Sequence, residues 1–307
     1  MARILVTGAS GLLGLNLAIQ ASRQHEVVGV VYHNSLVNVP FEVLSADLGA
    51  PEALEHVIAF SRPDWIIHCA AMANLEDCEK APTRAARINA WLPGALADYA
   101  SFLGARRLHI STDAVFDGER GRYTEQDAPN PLSVYAHTKL EGEQAALQAN
   151  PQALVARVNF YGWSLGGQRS LAEFFFNNLS ANRPVRGFTD VLFCPLLVND
   201  LADLLLEMAQ KGLSGIYHTV SSECISKYDF GMAIARQFGL DGSLISPTSW
   251  KEGGLTARRS PNLTLSTEKL AAALGRPLPG IQTGIQRFHE LFTAGYPERI
   301  HDYGVIG

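Results

Sequence analysis

The chain has 307 residues, a length for one large or two closely joined domains, and 47% apolar and 18% charged residues, the composition of a globular enzyme. Its 25 basic and 30 acidic side chains give a formal charge of −5, without the basic excess that a nucleic-acid surface needs. No apolar run reaches the roughly 18 residues of a membrane span, and the first one is too short for a secretory segment.

RILVT at residues 3–7 is apolar and rich in β-branched side chains, which predicts a strand. GASGLLG follows, then LNLAIQASRQ with helical spacing and EVVGVVY as a second strand. Strand, glycine turn, helix and strand make a βαβ unit. Gly8, Gly11 and Gly14 form G-x-x-G-x-x-G between strand and helix, the context in which backbone N–H groups and a helix N-terminus receive a pyrophosphate. Ser10, Leu12 and Leu13 belong to the same predicted cofactor site. At the end of the second strand a carboxylate would bind the ribose 2′-OH of NAD. Here Tyr32, His33 and Asn34 stand without one, which favours NADP and leaves NAD open.

FEVLSADL predicts a third strand ending at Asp47 and Leu48, and PEALEHVIAFSR a helix opened by Pro51. DWIIHCAA is strand-like, and PTRAARINAWLPGALADYASFLG is helical despite Pro93. RRLHISTDAVF reads as a strand entering a loop, YAHTKLEGEQAALQAN as a strong helix and ALVARVNFYG as another strand. Beyond residue 162 the pattern loosens: LAEFFFNNLSAN, VNDLADLLLEMAQ, KYDFGMAIARQFG and LSTEKLAAALG predict helices, and GIYHTV a further buried strand. The fold class is therefore α/β, a Rossmann doubly wound parallel sheet with a smaller C-terminal substrate-binding lobe. Residues 1–162 form the dinucleotide-binding part, with 188–221 returning to it, and 163–187 with 222–307 form the lobe.

Cys69, Cys78, Cys194 and Cys224 are scattered and contain no C-x-x-C pair, so no metal site is expected. Cys69 and Cys194 lie among apolar neighbours and read as small buried hydrophobes, in keeping with a reducing, cytoplasmic setting.

In SVYAHTKLEGE, Tyr135 and Lys139 are four apart and share one helix face. Tyrosine titrates near 10 and is a poor acid–base group, but a nearby ammonium lowers its pKa. The lysine can also reach a nicotinamide ribose. Ser111, Thr112 and Asp113 in STDAVFDG end a predicted strand, where open α/β sheets place their ligands. Y-x-x-x-K alone is common by chance; joined to the glycine turn and STDAVF it predicts a catalytic helix.

These blocks give the chain its resemblance to the extended short-chain dehydrogenase/reductases and, within them, to the dTDP-4-dehydrorhamnose reductase family. PDWIIHCAAMANLEDCEKAP resembles that family's strand and loop beside the nicotinamide, and STDAVFDGERGRYTEQDAPNPLSVYAHTKLEGE its most specific block. The resemblance implies that Thr112 is the catalytic hydroxyl, Tyr135 the acid and Lys139 its cation. It also implies that Asp47 contacts adenine, although with Pro51 close behind the same residue reads equally as a helix N-cap, that Ala70 and Ala71 pass the cofactor, and that Asn89 is structural. RVNFYGW departs from the family's usual segment, so Phe160 or Trp163 is expected to line the pocket differently. Arg258 and Arg259 in TARRSPN are expected to hold the substrate's diphosphate. The implied activity is NAD(P)H-dependent reduction of a nucleotide-activated 4-keto sugar. An epimerase on the same scaffold and a cofactor-binding regulatory subunit remain alternatives; Ala114 after Asp113 counts against a dehydratase. A homodimer is left open.

Overall fold

A computed structural model describes residues 1–252 and 260–304. Seven parallel strands form the central sheet: β1 (Arg3–Thr7), β2 (Glu26–Val31), β3 (Glu42–Ser45), β4 (Trp65–His68), β5 (Arg106–Thr112), β6 (Leu154–Val158) and β11 (Gly215–Thr219). Their order is β11-β6-β5-β4-β1-β2-β3. The chain winds outward both ways from β1, which pairs with β2 on one side and β4 on the other. That reversal opens a crevice above the carboxyl ends of β1 and β4, where ligands of such sheets bind.

One face of the sheet is covered by α1 (Leu12–Ala21), α8 (Val198–Gln210) and α10 (Glu268–Leu274), and Ile4, Val6, Ile67 and Ile110 pack beneath them. The other face carries α2 (Pro51–Ser61), α5 (Leu92–Leu103) and α6 (Val134–Ala149). Before α5 come α3 (Leu75–Lys80) and α4 (Pro82–Ala86), then a π-helical turn at Arg87–Trp91. The wide turn has a local cause. Pro93 has no N–H for the Asn89 carbonyl and its ring would crowd it. The chain widens, and the Leu92 N–H donates to the Arg87 carbonyl five residues back. The single helix expected over this stretch is thus continuous but bulged.

The remaining helices are α7 (Leu171–Ser180), α9 (Lys227–Phe238), α11 (Ile281–Thr293) and α12 (Tyr296–His301). They surround an apolar cluster that includes Phe175, Phe193, Phe230 and Phe288. Three short pairs edge it: β7 (Phe160–Tyr161) with β10 (Leu196–Leu197), β8 (Val185–Phe188) with β13 (Ile245–Thr248), and β9 (Leu192–Phe193) with β12 (Ile225–Ser226). Sequence patterning had not shown α3, α11, α12 or the short pairs.

The cysteines correct one expectation. Cys194 is buried, but as half of a disulfide with Cys224 rather than as a free hydrophobe. The antiparallel register explains it. Phe193 pairs with Ile225, so the next residues, Cys194 and Cys224, come opposite each other with their Cα atoms 4.1 Å apart. Cys69 and Cys78 are free thiols.

Candidate active site

The glycine turn follows β1 because side chains would not fit there. Gly8 has φ +70°, and a Cβ on it would stand 2.8 Å from the Ala70 backbone. A Cβ on Gly14 would meet the Gly8 carbonyl oxygen at 2.1 Å. The turn therefore closes onto the chain leaving β4 and opens α1 with bare backbone. Beside it runs a groove of about 830 Å³. Of the predicted cofactor residues, Gly8, Ser10, Gly11, Tyr32, His33, Asp47, Leu48, Ala70 and Ala71 line it. Gly14 and Leu13 do not: Gly14 serves the turn's closure, and Leu13 faces inward into the core. Leu12 also packs against that core and is absent from the groove wall. Asp47 accepts a hydrogen bond from the Gly49 N–H at 2.9 Å, so it shapes the wall it lines.

The groove has a basic rim that sequence reading missed: Lys80, Arg84, Arg87 and Arg169. The Arg87 Nε donates to the Gly49 carbonyl at 2.8 Å, and its guanidinium lies over Trp91. Lys80, Arg84 and Arg87 stand at helical spacing within one short stretch, a signal that could have been read, whereas Arg169 joins them only in the fold. The groove's bare glycine wall, its volume and this rim fit a dinucleotide with its phosphates.

Thr112 ends β5, and Tyr135 lies in the first turn of α6, whose N-terminus is capped by Ser133 accepting from the Ala136 N–H at 3.2 Å. The tyrosine is in hydrogen-bond contact with Thr112. Thr112 accepts from the Ala114 N–H at 3.2 Å and donates to Asp113 at 3.1 Å. Asp113 also accepts from Asn159 at 2.5 Å. Burial pushes the Asp113 carboxyl up to about 6, against the pull of its Asn159 and Thr112 hydrogen bonds.

Lys139 is 2% exposed and donates to the Ile110 carbonyl at 2.6 Å. Burial brings its pKa down to about 8; the Glu143 carboxylate opposes this and Arg107 adds to it. The phenol corrects an expectation. Burial pushes Tyr135 up to about 12, with Thr112 pulling it down and Asp113 pushing it further up. Lys139 is not among the groups that shift it, and the ammonium donates to the Ile110 carbonyl instead. Asn89 has the structural role expected of it. It accepts from the Met72 N–H at 2.9 Å, donates to the Met72 carbonyl at 3.0 Å and to Thr138 at 3.2 Å, tying the loop after β4 to α6.

A second cavity of about 180 Å³ lies between the sheet's carboxyl edge and the lobe, walled by Ala114, Ser133, Asn159, Phe188, Lys227 and Trp250 among others. Ala114 and Ser133 are two residues from Thr112 and Tyr135 respectively, but Thr112, Tyr135 and Lys139 themselves line neither this cavity nor the groove. Phe160 and Trp163 line neither. Trp163 is 3% exposed, stacks on Phe288 with ring centroids 4.1 Å apart and donates its Nε1–H to the Phe288 carbonyl at 3.1 Å. It is a core residue of the lobe, and Phe160 packs against the core under α8. Asn159, their neighbour, reaches the site instead. Arg258 and Arg259 lie outside the described residues.

Residues 2–293 match the family model described as RmlD substrate binding domain. A probable low-salt glycan biosynthesis reductase of Haloferax volcanii is 31% identical over 94% of this chain and 97% of its own. The mouse methionine adenosyltransferase 2 subunit beta is 33% identical over 92% of this chain and 86% of its own. A crystal structure of a hypothetical dTDP-4-dehydrorhamnose reductase from Sulfolobus tokodaii superposes with a TM-score of 0.80 at 30% identity, covering 90% of this chain and 96% of that one.

Proposed function

Because the chain belongs to the RmlD substrate binding domain family, we propose that it is an NAD(P)H-dependent reductase of a keto group on a nucleotide-activated sugar. The reading is supported by the interaction of Tyr135 with Thr112, by the mostly apolar cavity that their sequence neighbours Ser133 and Ala114 wall, and by a separate groove of dinucleotide size. The bound nicotinamide would supply the hydride. The chain's own residues do the rest. Thr112 and Tyr135 hold the carbonyl oxygen, and the Tyr135 hydroxyl gives it the proton. A phenol near 12 stays protonated at neutral pH, which suits a donor more than a base. Lys139, its ammonium held on the Ile110 carbonyl, would reach the nicotinamide ribose with its remaining N–H groups. NADPH is the preferred donor, since no carboxylate ends β2 and the groove rim is basic.

The first test is consumption of NADPH against a panel of nucleotide-keto-sugars. Tyr135→Phe removes the proton and keeps the ring, so kcat should fall by roughly 10²–10⁴ while the Kd for NADPH holds. Wild-type turnover in that variant would remove Tyr135 from the role of acid. The likeness to an adenosyltransferase subunit supports a second reading, a dinucleotide-binding subunit without turnover. It predicts NADPH binding with no reduction across the whole panel.

A further inference from the structure

Residues 162–170 connect β7 to α7 and carry the chain from the β6 side of the molecule to the β2 side. Three contacts mark the route. The Asn16 side chain, in α1, donates to the Trp163 carbonyl at 3.1 Å, which seats the start of the loop on the helix that follows the glycine turn. Leu165 then lies beside Gly304, where a Cβ would stand 3.7 Å from its Cδ1, and Gly167 lies against His301. Gly304 in turn bridges to Leu36, and the Val37 N–H donates to the Tyr303 carbonyl at 2.9 Å. Leu36 and Val37 belong to the segment that leaves β2, so the loop comes to rest on that segment. The same segment begins with Tyr32, His33 and Asn34, which line the groove.

Glu173 fixes the loop's shape. It is buried, and its carboxylate accepts from the Ser164 N–H at 2.6 Å, the Ser164 hydroxyl at 2.9 Å, the Arg169 N–H at 2.9 Å and the Ser170 N–H at 3.0 Å. One carboxylate thus ties the two ends of the loop together and holds the Arg169 backbone in place. The Arg169 side chain lies outside this clamp. It is exposed, lines the groove and forms no ion pair among the described residues. Every other residue of the groove wall lies between Gly8 and Leu92.

Across a sheet of this kind the pyrophosphate rests on the turn after the first strand, and the adenosine ribose meets the end of the second. NADP carries a phosphate at that ribose where NAD carries a hydroxyl. The end of β2 has no lysine or arginine of its own. The other rim cations stand elsewhere: Lys80 and Arg84 rise from α3 and α4, after β4, and Arg87 is turned to the Gly49 carbonyl and Trp91. We infer that Arg169 selects NADP over NAD, pairing with the 2′-phosphate from outside the βαβ unit. A guanidinium suits the place, since its planar fork meets two phosphate oxygens at once. The inference rests on the cofactor reading above and adds to it the residue that makes the choice.

Calorimetric titration with NADP⁺ and NAD⁺ tests this without turnover, and 2′,5′-ADP and 5′-AMP are fragments that differ by the same phosphate. Wild type should bind each phosphate-bearing ligand about tenfold or more tightly than its partner, the scale of one charge-assisted pair. Arg169→Ala should remove most of that ratio by weakening NADP⁺ and 2′,5′-ADP, with NAD⁺ and 5′-AMP unmoved, and Arg169→Lys should keep part of it. Equal weakening of NADP⁺ and NAD⁺ would put Arg169 on the pyrophosphate and overturn the inference. An unchanged ratio in Arg169→Ala overturns it too, as does equal affinity of wild type for the two dinucleotides. Binding of neither dinucleotide by wild type overturns the cofactor reading itself.

Discussion

Tyr135, Lys139 and Glu143 follow one another at four-residue intervals and share one face of α6. The first two were read from the sequence as a catalytic pair. The third was not, because its partners Arg157 and Ser111 come from other strands and no spacing links them. Glu143 favours the Lys139 ammonium against burial and Arg107. Replacing it by Gln removes that support, so the lysine's midpoint should fall from about 8 by about one unit. The ammonium exists below its midpoint and is lost above it, so the alkaline limb of kcat should move to lower pH. A pH–rate profile of Glu143→Gln checks this, and an unmoved limb would mean that Glu143 only braces the fold. The sign for stability is separate. The folded-state pKa lies below the unfolded lysine's 10.4 or so, so the unfolded chain holds more protons between about 8 and that value. Stability contributed by this site should therefore rise with pH through that window.

At the scale of elements, the contact between α6 and the π-turn before α5 is what aims the helix that carries Tyr135 and Lys139. Gly142 lies directly on the turn: a Cβ there would stand 2.1 Å from the Asn89 carbonyl oxygen and 3.1 Å from the Pro93 ring. Both obstacles are backbone or ring atoms that cannot swing aside. Gly142→Ala should consequently push α6 off the sheet and lower stability by about 3 kcal/mol or more, despite alanine's better helix propensity. Thermal unfolding of the variant measures it; a gain in Tm would show that the two helices slide freely. The helices themselves were legible, since LEGEQAALQ and LADYASFL are runs of good formers. The bulge was not. Proline announces a missing N–H, but whether the chain breaks, kinks or widens depends on the helix packed against it.

Across the whole molecule, the disulfide links the strand entering β10 to the one entering β12 and closes a loop with a sequence separation of 30. Cross-linking a loop of that size restricts the unfolded chain by about 3–4 kcal/mol. Reduction, or Cys224→Ser, should lower Tm by several degrees, while the dinucleotide groove, which neither cysteine lines, should keep its affinity for NADPH. An unchanged Tm under reductant would mean that the bond is not formed in solution. The same long-range pairing separates what was readable from what was not. Alternating apolar strands, the three glycines after β1, the absence of a carboxylate after β2, and the Tyr135–Lys139 pair are local patterns. Each is set by sterics and periodicity within a few residues, so the sequence alone determined the parallel sheet, the glycine turn and the helix that carries Tyr135 and Lys139. Burial of Trp163 against Phe288, the entry of Asn159 into the site, the union of Cys194 with Cys224 and the arrival of Arg169 at the groove depend on residues that meet only when distant strands take their register. Packing and the placing of charge are properties of those meetings, and only the tertiary structure decides them.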